Sequence, residues 1–190
     1  MKELVKEADE ESKSLWNNLK LGYTESMGHP ILRQEIAKLY DNITTDDVLT
    51  IVPEEGIFIA MNAILEKGDH VIVVDPIYQS LSEITKSLGC SVSNWKVDLK
   101  DNQWHIDTDF LERNVQENTK MIIINFPHNP TGYLPNKEVL DRIIKIAQKH
   151  DLYLFSDEMY WLLEHQEENR LPSVADIYKK GISLFGLSKT

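Results

Sequence analysis

The sequence predicts an α/β fold in which a mostly parallel sheet carries helices on both faces. Four short apolar runs show no alternation of apolar and polar residues, namely VIVVD (71–75), MIIINF (121–126), LYLFSD (152–157) and ISLFGL (182–187). Continuous apolar runs of this length are typical of strands that are buried on both faces. The stretches between them repeat apolar residues at helical spacing, and such alternation of strands and helices indicates right-handed helical crossovers between parallel strands.

The helices are predicted from apolar spacing and from residues that begin or end helices. They comprise a polar, amphipathic helix within residues 1–20, a helix that starts at Pro30, and helices over 54–66, 78–88 and 136–150. Proline is favoured at the first helical position, where its missing N–H costs nothing. Gly68 and Gly89 follow two of these helices and favour helix termination.

The composition indicates a globular chain with a core of its own. Of the 190 residues 42% are hydrophobic and one is cysteine, so we expect a core-stabilised fold in a reducing compartment. With 20 Lys and Arg against 31 Asp and Glu, the net charge is −11, which argues against nucleic acid or an anionic membrane as partner. No apolar run approaches the roughly 18 residues of a membrane span, and no signal-peptide pattern is present. A cytoplasmic location is therefore expected.

Side chains with useful chemistry follow all four apolar strands. Ligands of open α/β sheets bind beyond the carboxyl ends of strands, and those ends are residues 75–78, 125–132, 156–160 and 186–189. They supply a phenol, an amide, a carboxylate and an amine. Each has an ordinary interpretation, since lysines are usually solvated, Asn-Pro-Thr-Gly is a turn, and Asp-Glu suits a helix N-terminus. Their shared place at the strand ends favours a functional site.

This set of groups suits pyridoxal 5'-phosphate (PLP). A lysine amine can form a Schiff base with the cofactor aldehyde, and a carboxylate can keep the pyridine nitrogen protonated. An aromatic face can stack on the ring, and a helix N-terminus can bind the phosphate. A nucleotide-binding domain is a weaker alternative because no Gly-x-Gly-x-x-Gly or P-loop follows a strand. A metal site is not expected, since the six histidines are scattered and there is one cysteine.

Six motifs occur in a fixed order along the chain: Gly22-Tyr23-Thr24-Glu25-Ser26-x-Gly28-x-Pro30-x-Leu32-Arg33, Pro53-Glu54-Glu55-Gly56-Ile57, Asp75-Pro76-x-Tyr78, Asn129-Pro130-Thr131-Gly132, Asp157-Glu158-x-Tyr160 and Ser188-Lys189-Thr190. In this order and spacing the sequence resembles the class I/II aminotransferases, PLP-dependent enzymes with the aspartate-aminotransferase fold (fold type I). The resemblance extends from about Leu21 to Thr190. It implies transfer of an amino group between an amino acid and a 2-oxo acid.

The resemblance implies a role for each of five side chains. Lys189 would form the aldimine with the cofactor and then move the proton between the substrate Cα and the cofactor. Asp157 would pair with the pyridinium nitrogen. Tyr160 and Asn129 would hydrogen-bond the phenolic oxygen of the cofactor, and Tyr78 would stack on its ring.

Further implications concern the phosphate and the partner subunit. Tyr23 matches a tyrosine that reaches the cofactor phosphate of the neighbouring subunit, so the resemblance implies a homodimer in which Tyr23 acts in trans. Pro53 and Glu54 begin the helix that would face the phosphate, although Pro53 has no N–H to donate. Gly186 stands where many relatives have a phosphate-binding serine.

The resemblance also implies a division of the chain. Residues 1–20 would form an N-terminal helical segment, and residues 21–190 the PLP-binding large domain, truncated after Lys189 and without the small domain. The family's sheet has a further antiparallel strand after the lysine, so we expect the strand over 182–187 to be an exposed apolar edge that favours dimers or aggregation.

Two alternatives to an active aminotransferase stay open from the sequence. One is a non-catalytic remnant that folds and dimerises, and the other is a PLP lyase, decarboxylase or racemase of the same fold.

Three smaller expectations concern single features. His128 is expected in a turn that faces solvent or cofactor, Cys90 as a small buried hydrophobe, and residues 164–168 as a solvated acidic surface.

Overall fold

A six-stranded sheet forms the centre of the computed structural model, which describes residues 2–20, 22–23 and 25–189. Leu21, Thr24 and Thr190, which belong to the matched segment and its motifs, lie outside the described residues, as does Met1. The strands are β1 (His70–Asp75), β2 (Ser91–Lys100), β3 (Gln103–Ile106), β4 (Thr119–Asn125), β5 (Tyr153–Asp157) and β6 (Gly181–Leu184). Their spatial order is β3-β2-β1-β4-β5-β6, and all neighbours are parallel except β2 and β3. The predicted α/β class is confirmed.

Eight α-helices accompany the sheet within the described ranges: α1 (Lys2–Glu7), α2 (Glu10–Asn17), α3 (Pro30–Ala37), α4 (Pro53–Ile64), α5 (Gln79–Ser87), α6 (Thr108–Asn114), α7 (Lys137–Lys149) and α8 (Val174–Ile177). Pro30 and Pro53 each occupy the first helical position, as their missing N–H favours. The amphipathic pattern of residues 1–20 forms two helices and not one. The reason is Asp9, whose side chain accepts a hydrogen bond from the Ser12 backbone N–H at 2.7 Å and caps a second helix.

Both faces of the sheet are buried, which explains the unbroken apolar runs. Side chains of β1 alternate between two separate clusters, with Val71 and Val73 on one face and Ile72 and Val74 on the other. Helices α4 and α5 cover the first face, and α6, α7 and α8 cover the second. Cys90 is buried, as expected.

The two ends of the sheet differ in how well the sequence predicts them. The antiparallel hairpin of β2 and β3 forms one edge, at which β3 is the last strand in the sheet order. At the other edge β6 ends at Leu184, so the predicted strand over 182–187 is three residues too long. The reason is its neighbour, because β5 ends at Asp157, the residue that pairs with Leu184. Among the described strands, β6 pairs with β5 alone, which makes it an edge strand as expected.

The strand order reverses at β1, which places a crevice between β1 and β4. From β1 the chain crosses to β2 on one side and later returns to β4 on the other. In doubly wound sheets ligands bind at such a reversal, beyond the carboxyl ends of the strands. The motifs that follow β1, β4 and β5 therefore lie together at the carboxyl ends of these strands. Among the described residues, no helix has the length and apolar character needed to cross a membrane.

The acidic segment 164–168 differs in part from the solvated surface that the sequence predicts. Residues 165–168 are exposed, but the side chain of Glu164 is only 1% exposed. Its carboxylate accepts hydrogen bonds from Arg170 Nε at 3.1 Å and from the Leu162 backbone N–H at 3.2 Å. The pairing lets Glu164 fold back against the protein.

Candidate active site

Asp157 provides a buried carboxyl group at the carboxyl end of β5. The residue is 5% exposed, and its Oδ1 accepts a hydrogen bond from the Met159 backbone N–H at 3.2 Å. Burial raises the pKa of Asp157 to about 6, and the bond from Met159 opposes this rise. No lysine, arginine or histidine of the described chain pairs with it. A bound cation would restore the charged form.

Asn125, at the end of β4, connects Asp157 to Asn129. Its Nδ2 donates to the Asp157 carbonyl at 2.8 Å, and its Oδ1 accepts from the Asn129 backbone N–H at 2.8 Å. The residue is 1% exposed. The sequence alone assigns no role to Asn125. The signal that could have found it is its place as the last residue of one apolar strand, as Asp157 is of the next, because these two residues lie opposite each other in the register. Asn125 thus connects two predicted site residues, Asn129 and Asp157, through their backbones.

His128 does not face solvent, which corrects one half of the sequence expectation, while the alternative that it faces the cofactor stays a prediction. The residue is 2% exposed, with Nε2 2.6 Å from the Pro76 carbonyl oxygen and Nδ1 2.6 Å from Thr131 Oγ1. A carbonyl oxygen can only accept, so Nε2 carries the hydrogen and Nδ1 accepts from the Thr131 hydroxyl. Burial lowers the pKa of His128 and favours this neutral form. The imidazole connects the loops that follow β1 and β4. It can be buried there because the Pro76 carbonyl and the Thr131 hydroxyl satisfy both of its nitrogens.

Tyr78 and Glu54 lie in contact at the start of two helices. Tyr78, which precedes α5, donates a hydrogen bond from its hydroxyl to Glu54 Oε2 at 3.2 Å, and Glu54 lies in the first turn of α4. A carboxylate near a helix N-terminus is stabilised by the helix dipole. Glu54 and Glu55 therefore place negative charge where the sequence predicts a phosphate site.

Gly186 brings the end of β6 close to the same helix start. A Cβ atom added at Gly186 would lie 3.1 Å from Met159 Cε and 3.9 Å from Pro53 Cγ. The segments after β5 and β6 and the first residue of α4 therefore meet. Glycine suits the position because the Met159 side chain already fills the neighbouring space.

Three predicted site residues stand apart from these contacts. Lys189 is exposed and has no hydrogen bond or ion pair with another described residue. Tyr160 is partly buried, and Tyr23 is fully exposed. The structure thus joins Asp157 with Asn129, and Tyr78 with Glu54 and the Pro53 turn. It does not bring Lys189, Tyr160 or Tyr23 into these contacts.

Glu158 is a further buried carboxyl group whose role the sequence did not indicate. Its Oε1 accepts from the Val174 backbone N–H at 3.0 Å and from Ser183 Oγ at 2.9 Å, and its own N–H donates to the Leu184 carbonyl at 2.8 Å. Within the described residues Oε2 has no hydrogen-bond partner, and burial raises the pKa of Glu158 to about 7. Glu158 therefore ties β5 to β6 and α8, and it fixes the strand that leads to Lys189.

An apolar groove runs along the free edge of β6. Its volume is ≈ 960 Å³, and its lining includes Ile51, Ile182 and Leu184. The groove reaches the candidate site at Gly186 and Leu187 but does not contain the Asp157 carboxyl group. We place the candidate site at the strand ends, because the polar groups converge there and the groove lining is mainly apolar.

Known proteins resemble this chain throughout its length. The family model for aminotransferase class I and II matches residues 2–190. An aspartate aminotransferase of Sulfolobus acidocaldarius is 34% identical over 184 residues, which cover 88% of this chain and 44% of that protein. One from Pyrococcus horikoshii is 30% identical over 175 residues, with the same shares. The chain spans about half the length of the relatives that it matches.

Solved structures agree with this match. A PLP-dependent aminotransferase from Streptococcus suis has a TM-score of 0.87 at 32% identity, over 99% of this chain and 50% of that one. Cystalysin from Treponema denticola, whose structure contains a PLP cofactor, has a TM-score of 0.81 at 26% identity, over 93% of this chain and 47% of that one.

Proposed function

Because the chain belongs to the class I and II aminotransferases, we propose that it binds PLP at the carboxyl ends of β1, β4 and β5 and transfers amino groups between an amino acid and a 2-oxo acid. Asp157 is the main support. A buried carboxyl with a pKa raised to about 6 and no cationic partner in the described chain fits the protonated nitrogen of a pyridine ring. Pairing with that cation would lower the pKa of Asp157 and keep both groups charged.

The chain's own residues would each do one task around the cofactor. When bound, PLP withdraws electrons from the substrate Cα and so eases loss of the Cα proton. Lys189 Nζ would hold the cofactor covalently and, once released, carry the Cα proton. Asn129 and Tyr160 would donate hydrogen bonds to the phenolic oxygen of the ring. Tyr78, half-exposed beside the Asp75 strand end, would stack on the ring face.

The phosphate end of the site is less favourable than the ring end. At the α4 N-terminus, Pro53 lacks an N–H, and the Glu54 carboxylate already accepts from Tyr78. A phosphate there would face two like charges, Glu54 and Glu55. We therefore propose that Glu54 moves away when the phosphate binds, which frees Tyr78 for the ring but weakens the affinity.

A second copy of the chain is part of the proposal. Most large apolar side chains that the described residues expose lie within the first 59 residues, among them Val52, Phe58 and Ile59 around α4. Clustered exposed apolar side chains are typical of a protein interface. Tyr23, fully exposed here, would then reach the phosphate of the partner. We propose residues 1–20 as an N-terminal helical segment of this dimer and residues 21–190 as its PLP-binding domain.

The N-terminus of α4, which is unfavourable for a phosphate, also supports a second candidate function. In that case the chain is a folded protein that does not retain PLP. A titration of the purified protein with PLP separates the two candidates. The proposal predicts a yellow absorbance band that Lys189→Ala abolishes and that the control Lys179→Ala, an exposed lysine before β6, retains. A colourless wild-type protein would support the second candidate.

The reaction type is tested by product analysis with a panel of amino donors. Amino-acid product that depends on an added 2-oxo acid supports amino transfer. Ammonia released without a 2-oxo acid would indicate a lyase instead.

A further inference from the structure

We propose that Asn125 and His128 are positioning residues that hold the loops of the candidate site in their relative places. Neither touches the reacting groups in the proposed function, on which this inference rests. Both are almost completely buried, at 1% and 2% exposure, and both connect separate strand ends through hydrogen bonds. The segment between them and Thr131 carries Asn129, so its geometry decides where that side chain points.

Asn125 fixes the distance between Asn129 and Asp157. The Asp157 carbonyl can only accept and the Asn129 N–H can only donate, so the orientation of the Asn125 amide is determined by its partners. An aspartate at this position would keep the acceptor but lose the donor, and it would place a charged oxygen against a carbonyl. In a buried site each lost partner leaves a polar group unsatisfied. An amide is therefore the side chain that this position requires.

His128 fixes the loop after β1 against the loop after β4. Its Nε2–H donates to the Pro76 carbonyl, two residues before Tyr78. Its Nδ1 accepts from the Thr131 hydroxyl, which in turn accepts from the Tyr133 N–H at 3.1 Å. This unbroken series of hydrogen bonds joins the segment that carries Tyr78 to the segment that carries Asn129.

The two residues hold the backbone at Asn129 and next to it. Asn125 holds its backbone N–H, and His128 precedes it directly, so the backbone is held while the side chain forms no hydrogen bond with other described residues. A side-chain amide with a fixed backbone and unused donors is suited to the phenolic oxygen of the cofactor. Loss of either contact would let the Asn129 donor move away from that oxygen.

His70 offers a matched control elsewhere in the same sheet. It is 1% exposed and contacts two side-chain hydroxyls, with Nδ1 2.7 Å from Thr119 Oγ1 and Nε2 2.9 Å from Ser93 Oγ. His70 begins β1, so it lies at the amino end of the strand, whereas the candidate site lies beyond the carboxyl end. A change there should lower stability without moving the cofactor.

The test compares Asn125→Asp, His128→Asn, His128→Gln and His70→Asn in the full chain. We expect Asn125→Asp and His128→Asn to weaken PLP binding by about fivefold or more, as loss of one hydrogen bond predicts. They should also raise the pH at which the visible band of the bound cofactor changes, because the phenolic oxygen loses a donor. His128→Gln, whose longer amide can reach the Pro76 carbonyl, should restore both values toward wild type. His70→Asn should lower the melting temperature and change neither.

Amide hydrogen exchange of residues 126–133 in the cofactor-free protein gives a second, independent readout. Exchange should be faster in Asn125→Asp and His128→Asn than in wild type and His70→Asn. If wild type takes up no PLP, the proposed function is wrong, and the exchange rates alone decide on the positioning role. The inference would be overturned if Asn125→Asp and His128→Asn had the same PLP affinity, the same pH dependence of the visible band and the same exchange rates as wild type. It would also be overturned if His70→Asn changed these quantities as much as the two site variants do.

Discussion

Replacement of Glu158 by glutamine should stabilise the protein at alkaline pH much more than at acidic pH. Burial raises the pKa of Glu158 from 4.5 to about 7, so the folded protein binds this proton more tightly than the unfolded chain does. The stability from this group is complete below about pH 4.5 and is lost as the pH rises through about 7. Glutamine keeps the acceptor for Val174 and Ser183 but has no proton to lose.

The magnitude follows from the two pKa values. Between about pH 5 and pH 8, wild type should lose roughly 2 to 3 kcal/mol of unfolding free energy through Glu158, and Glu158→Gln should lose none of it. Asp157 titrates in the same range, so the quantity of interest is the difference between variant and wild type at each pH. Tyr40, whose pKa is raised by burial and by the nearby carboxylates of Glu158 and Asp176, stays uncharged throughout this pH range in both proteins.

Urea unfolding at about pH 5 and about pH 8 measures this difference. Glu168→Gln, which changes an exposed carboxylate, is the control and should leave the unfolding free energy nearly unchanged at both values. A stability difference between Glu158→Gln and wild type that is the same at both pH values would refute the reasoning, because it would show that Glu158 does not titrate on folding.

Three further predictions concern the cofactor and the interface. Asp157→Asn should lower PLP affinity by about tenfold or more in an absorbance titration, because a charge-assisted hydrogen bond is lost, and it should raise the stability of the cofactor-free protein at about pH 8; unchanged affinity would contradict the proposed pairing. Glu54→Gln should tighten PLP binding a few-fold, most at low salt, whereas Glu66→Gln beyond the other end of α4 should not; equal effects would argue against a phosphate at this helix start. Phe58→Glu should shift sedimentation from dimer toward monomer, and a wild-type protein that is already monomeric would contradict the proposed dimer.

The order of strands and helices could be predicted from the sequence, because strands buried on both faces require unbroken apolar runs. The position of the candidate site stays a prediction, which rests on the polar residues that follow several strands at their carboxyl ends. The end of β6 could not be predicted, because it depends on the length of β5 and not on the apolar residues that continue to Leu187. The break at Asp9, by contrast, has a local signal, because Asp is a favoured N-cap and Glu10 and Glu11 suit a first helical turn.

Within the site, the sequence identified residues with recognisable chemistry but not those that hold them. Asn125 and His128 carry ordinary polar side chains, and their importance follows from partners that lie far away in sequence, at Asp157 and Pro76. Glu158 follows Asp157 directly, yet it points into a buried cluster with Ser183 and Val174. Such roles depend on which strands become neighbours, and a local motif does not contain that information.

Peptide mapping after borohydride reduction tests the proposed cofactor site most directly. The purified protein is incubated with PLP, reduced, digested and analysed by mass spectrometry. We expect the reduced cofactor to be attached to Lys189 in wild type and the extent of this attachment to be lower in Asp157→Asn. Attachment spread over the surface lysines, with Lys189 unmodified, would contradict it.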